Sequence, residues 1–134
     1  MTLEDRLWPP HRLWRDRLGL GDWADESRIA PADDDGTEAE THALWEYKRF
    51  GVTYYPRCQS LADDRLEWVV VHELVHVLRA PERQLVLELI DGYEEGGEAV
   101  EILRRMYELH DERVTTEIAL ALLRIARSLP PTDV

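Results

Sequence analysis

VVVHELVHVL, residues 69–78, places two histidines four residues apart with a glutamate directly after the first. The same ten residues hold five valines and two leucines. On a helix these cover nearly the whole circumference, so the helix must be buried on most sides. Burying two imidazoles and a carboxylate there is costly unless something compensates them. One alternative is a pair of core histidines satisfied by backbone carbonyls, with Glu73 at a surface edge. The other is a metal ion.

The spacing favours the metal. His72 and His76 are separated by about 400° on a helix, so both rings point the same way one turn apart. Two neutral nitrogens in that arrangement reach one Zn²⁺ at roughly 2.0–2.1 Å. Glu73 lies about 100° around, beside the metal but off the ligand pair. There it can take a proton from metal-bound water and later deliver it to a leaving amine. The metal brings the water pKa to about 7, so an ordinary carboxylate base suffices.

A catalytic zinc site commonly takes three protein ligands. The long motif HExxHxxGxxH is excluded, because Glu82, followed by Arg83, stands where its third His would fall. The ligand must come from later in the chain, where MYELHDERVTTEIALALLRIARSL offers His110, Asp111, Glu112 and Glu117. Taken as one helix, this stretch places Ala119, Leu123 and Ala126 within about 40° of Glu112. Glu117 falls with Arg113, Arg124 and Ser128 on the polar face. Asp111 also sits on the apolar arc but has an alternative role as an N-cap. His110 is on the polar side unless the helix breaks near it. Glu112 is therefore the expected third ligand, with Asp111 or His110 left as substitutes or additions. An ion pair with an arginine is the competing fate for Glu112.

HELVHVL, followed after 35 residues beyond His76 by ERVTTEIALALL, with Glu112 the 36th, resembles the short single-domain zincins with a glutamate third ligand. The similarity is to ImmA/IrrE-type metallopeptidases and small phage-encoded relatives. Glu112, Thr115, Ile118, Ala119, Leu122 and Leu123 follow the order of their second motif. Val75 departs from the small residue common before the second His, and Thr116 from the usual Asn or Asp. The resemblance implies a minimal gluzincin that hydrolyses peptide bonds by Glu-assisted attack of metal-bound water. Its ligands would be His72, His76 and Glu112, its base Glu73, and its substrate a peptide or protein. It also implies a small sheet whose edge strand aligns the peptide above the active-site helix, for which FGVTYY is the candidate. Tyr93, Tyr107 and His110 are candidates for stabilising the oxyanion.

Composition limits the remaining classes. The 134 residues fit one domain with a real core. Acidic side chains number 28 against 16 basic, a formal charge of −12. Such a surface repels phosphate backbones, so direct nucleic-acid or anionic-membrane binding is disfavoured. Cys58 is the sole cysteine, so no internal disulfide exists and a reducing compartment is expected. MTLEDRLWPPHRLW lacks the apolar run of a signal peptide, and no stretch reaches membrane-spanning length. The cytoplasm is the expected location; composition does not give the oligomeric state.

The chain pattern gives an α+β fold in one domain. Residues 1–62 read as a helix plus a small mixed sheet, 63–129 as a helical half with the metal site, and 130–134 as a tail. The first helix spans about residues 1–20 around Pro9 and Pro10. DWADESRIAP is a weak strand and PADDDGTE a loop. Ala43–Tyr47 and Phe50–Tyr55 are strand-like, with Pro56 closing the second. An active-site helix runs from an Asp N-cap at Asp63 to Leu78, ended by Ala80–Pro81. Further helical stretches cover 82–93 and about 99–128, the latter with a possible break at His110. Trp8, Trp14 and Trp23 are expected in the core, and Cys58 as a buried thiol. Glu94, Glu95 and Glu98 fit an exposed linker better than a cation site. Two other functional classes compete with the peptidase: a zinc-stabilised protein-interaction module without turnover, and a metal-free helical adaptor. A closed fourth ligand from His110 or Asp111 would favour the module.

Overall fold

The computed structural model describes residues 1–93 and 96–128. It is α+β: helix α1 (Leu3–Arg17), a small mixed sheet, then two long helices, α2 (Asp63–Asp91) and α3 (Gly97–Ser128). Thr2 and Asp5 form a capping box that starts α1, and Pro9 and Pro10 lie within it. Leu3, Leu7, His11 and Trp14 recur at helical spacing and are buried against the sheet and α2.

Four strands make the sheet: β1 (Ala24–Asp25), β2 (Arg28–Ile29), β3 (Ala39–Leu44) and β4 (Arg49–Tyr54). FGVTYY is therefore not an edge. β4 is central, with β1 and β2 parallel to it along one side and β3 antiparallel on the other. Its Phe50, Val52 and Tyr54 are all buried, which fits the period-2 pattern. Between β1 and β2 the ladder is interrupted, and the Ser27 hydroxyl accepts from the Val52 amide at 2.9 Å instead. Gly51 faces this kink; a Cβ there would stand 3.1 Å from the Glu26 carbonyl oxygen. β3 begins and ends earlier than the aromatic run suggests. Trp45–Tyr47 form a 3₁₀ turn, and Lys48 adopts a left-handed conformation (φ 50°) that reverses the chain into β4.

His11 is a polar staple in the core. Its Nδ1 accepts from the Tyr54 hydroxyl at 2.8 Å, and its Nε2 lies 2.7 Å from Asp25 Oδ2, tying α1 to β1 and β4. Burial pushes the Asp25 carboxyl up, but hydrogen bonds from His11 and Ser27 outweigh it and hold the pKa down at about 2. The unfolded chain binds that proton more tightly. The resulting stabilisation is full above about pH 4 and disappears as pH falls through about 2, amounting to about 2 kcal/mol. Asp25→Asn should flatten the pH dependence of stability in that interval, read from urea melts at stepped pH. An unchanged slope would show that Asp25 is not the responsible group.

The helical half departs from expectation at three points. Asp63 and Asp64 lie in the first turn of α2, and Ala62 is the N-cap, with no side-chain bond. α2 does not end at Ala80 but continues through Pro81 to Asp91. Proline removes one helical hydrogen bond, at a cost of about 3 kcal/mol. Packing along α3 spans the proline, with Arg79 bound to Asp111 on one side of it and Arg83 to Glu108 on the other. α3 is likewise unbroken at His110. Trp14 is buried, Trp8 and Trp23 pack partly buried on the core, and Cys58 is buried and free. Its thiol is pushed up to about 11, chiefly by burial. Glu94, Glu95 and the tail from residue 130 lie outside the described residues. Among those described, no helix is long and apolar enough to cross a membrane.

Candidate metal centre

α2 brings His72 and His76 to one side at the ring spacing its turn dictates, with centroids 4.9 Å apart. His72 is packed under the Trp68 indole at 4.8 Å, which is capped in turn by the Arg65 guanidinium at 4.2 Å. Opposite them, α3 presents Glu112. Its Oε1 lies 2.6 Å from His72 Nε2 and its Oε2 3.2 Å from His76 Nε2. One donor atom from each residue falls within 4.8 Å of the other two, so the three could hold a metal ion. Glu112 is mostly exposed, yet its carboxylate turns onto both imidazoles rather than to an arginine.

The charges are mutually adjusted. Hydrogen bonds from His72 and His76 hold the Glu112 carboxyl well below the usual carboxylate range. Burial acts to lower the His76 pKa, but the bond it donates to Glu112 and the nearby Glu73, Glu112 and Asp111 charges raise it. Two nitrogens and a carboxylate oxygen converging in this way match the donor set and count of a three-ligand transition-metal site. His72 Nδ1 is buried with no hydrogen-bond partner among the described residues. The ring is held by packing against Trp68 and by the Glu112 carboxylate on Nε2.

Glu73 is buried, not at a surface edge. It stands off the ligand set, and burial raises its pKa. The Thr41 hydroxyl, from β3, lies 2.5 Å from Glu73 Oε2 and 3.0 Å from the Glu73 carbonyl oxygen. Sequence reasoning missed Thr41; only its place in an alternating strand could have flagged it.

Asp111 is buried beside Glu112 but turns away from the histidines. Arg79 Nη1 approaches Asp111 Oδ1 at 2.8 Å and donates to the Asp111 carbonyl oxygen at 2.9 Å and to Thr115 Oγ1 at 3.0 Å. Asp111 is thus mid-helix, not an N-cap, and lies outside the donor group. His110 is exposed and outside the donor group. A cleft of about 640 Å³ opens in front of the centre, walled by β3 on one side and by Arg83, Leu87 and Glu108 on the other. Tyr93, Tyr107 and His110 are not part of its wall.

Backbone pairing leaves one side of β3 open to this cleft. Tyr55 N–H donates to the Glu38 carbonyl, and the register alternates from there. Glu40, His42 and Leu44 therefore direct their backbone groups at β4, and Ala39, Thr41 and Ala43 direct theirs outward. Compared with protein-family models, curated proteins and solved structures, the chain matches none of them.

Proposed function

We propose that this protein is a zinc-dependent metallopeptidase of the minimal gluzincin type. The observation that carries the reading is the separation of roles: Glu112 reaches both histidines from another helix, while Glu73 stays free of them. His72, His76 and Glu112 would hold the ion, and an N,N,O set of this kind suits Zn²⁺. Once bound, zinc supplies a Lewis acid that polarises a carbonyl and makes water acidic near neutral pH. Glu73 takes the proton of the attacking water and returns it to the leaving amine nitrogen. Thr41 occupies Oε2 of Glu73 and leaves Oε1 to carry that proton. The raised pKa of Glu73 brings it closer to the working pH, which suits a group that must both accept and give.

β3, in place of FGVTYY, supplies the edge on which a peptide would lie. An extended substrate adding antiparallel would bond the outward groups of Ala39, Thr41 and Ala43. The buried lone cysteine fits a reducing compartment, and we assign the activity to the cytoplasm. The alternative, a zinc-stabilised interaction module, needs a closed fourth ligand. Neither Asp111, held by Arg79, nor the exposed His110 supports it.

Protein purified without a histidine tag should carry one zinc per chain by elemental analysis. Glu112→Ala should weaken zinc binding by at least the roughly 10–100-fold that losing an outer partner costs. Stoichiometric zinc with no cleavage in a broad peptide library would overturn the enzyme reading. Unchanged zinc affinity in Glu112→Ala would overturn the ligand set.

A further inference from the structure

Beyond the metal centre, α2 and α3 run on as a two-helix hairpin, and no described residue from 80 to 110 is buried. The hairpin is nonetheless rich in apolar side chains. Leu85, Leu89, Ile102, Leu103, Met106 and Leu109 are between 41% and 69% exposed. Together they show on the order of 600 Å² of apolar surface, at the top of the range for patches on monomers and near the ~800 Å² one partner gives a standard interface. None of them lines the cleft. Leu85 and Leu89 lie about 120–160° around α2 from Leu87 and Asp91, and Met106 about 120° around α3 from Glu112, with Ile102 and Leu109 nearer to it at about 80° and 60°.

On α3 the pattern has an order that identifies the partner. Glu98, Ile102, Met106, Leu109 and Arg113 fall within an arc of about 80°. An acid stands at one end, a base at the other, and apolar residues between. Arg104 and Glu108 are paired with Asp91 and Arg83 of α2, whereas Glu98 and Arg113 enter no ion pair among the described residues. We propose that α3 packs antiparallel against α3 of a second copy, about a twofold axis at the Arg105–Met106 peptide. That axis sets Ile102 against Leu109 of the second copy, and Glu98 against its Arg113, twice over. A parallel pairing would instead set Glu98 against Glu98 and Arg113 against Arg113, which like charges oppose. Past Arg113 the same arc carries Thr116, Leu120 and Arg124, so its apolar run thins beyond the ion pair. The dimer does not depend on the metal or on catalysis.

The test is sedimentation equilibrium of the whole chain at physiological ionic strength, which screens the −12 carried by each copy. A concentration-dependent dimer is expected, and Leu109→Glu should leave a monomer with unchanged zinc content and circular dichroism. Glu98→Arg should weaken association several-fold, and adding Arg113→Glu should restore it. Met106→Cys should be joined to its copy by a short bis-maleimide, since Cys58 is buried. Glu98→Cys should not be, because antiparallel copies hold that position about 22 Å apart. Cross-linking at both positions would overturn the orientation. A monomer up to millimolar concentration, or one that associates only with phosphatidylcholine vesicles, would overturn the dimer.

Discussion

Glu73→Gln should retain one zinc per chain and cut peptide hydrolysis by about 10²–10⁴-fold, the range a positioned general base supplies. The amide has nearly the same shape as the carboxylate and can still accept from Thr41, so the fold around β3 and α2 should persist. What it loses is basicity. Its place outside the donor group predicts that metal affinity changes little, in contrast to Glu112→Ala. The measurement pairs elemental analysis with mass spectrometry of a peptide library, comparing both variants with the parent. Full turnover in Glu73→Gln would remove Glu73 from the reaction. Loss of zinc from it would mean that Glu73 belongs to the metal site.

The candidate metal centre was more legible in the sequence than the sheet, because helical geometry is local. Four residues fix the angle between His72 and His76 whatever surrounds them. The arc that joined Glu112 to Ala119 and Leu123 also held, since both of those are buried on α3. Glu112 stands at the edge of that arc, where the buried face meets the cleft. Pairing between distant segments has no such rule. Alternation in FGVTYY is equally compatible with an edge and a central strand. β4 is central because β1 and β2, two residues each and partly polar, pair with it. Pro81 misled for a related reason: its cost is local, and the packing of α2 on α3 that outweighs it is not. Nor does any spacing announce that Arg79 will meet Asp111.

That buried pair predicts the largest change in stability. Arg79 and Asp111 are 9% and 4% exposed, and Arg79 bonds three acceptors besides the Asp111 carboxylate, Glu82 among them. Arg79→Met would strand the Asp111 charge in the interior, which costs about 3–5 kcal/mol. Arg83 Nε, 3.6 Å from Asp111 Oδ2, remains to offset part of it. A fall in Tm of roughly 10–20 °C should follow. Replacing both partners, Arg79→Met with Asp111→Leu, should recover most of the loss, because an apolar pair of similar volume carries no desolvation penalty. Zinc affinity separates packing from positioning. Arg79 grips the Asp111 carbonyl and Thr115, immediately before and one turn after Glu112, and so holds Glu112 in register with the histidines. Affinity should fall about 10–100-fold in the single variant and stay low in the double, whose Tm has recovered. Recovery of both together would make Arg79 a packing residue only. An unchanged Tm in the single variant would mean that the Arg79–Asp111 pair does not hold α2 and α3 together.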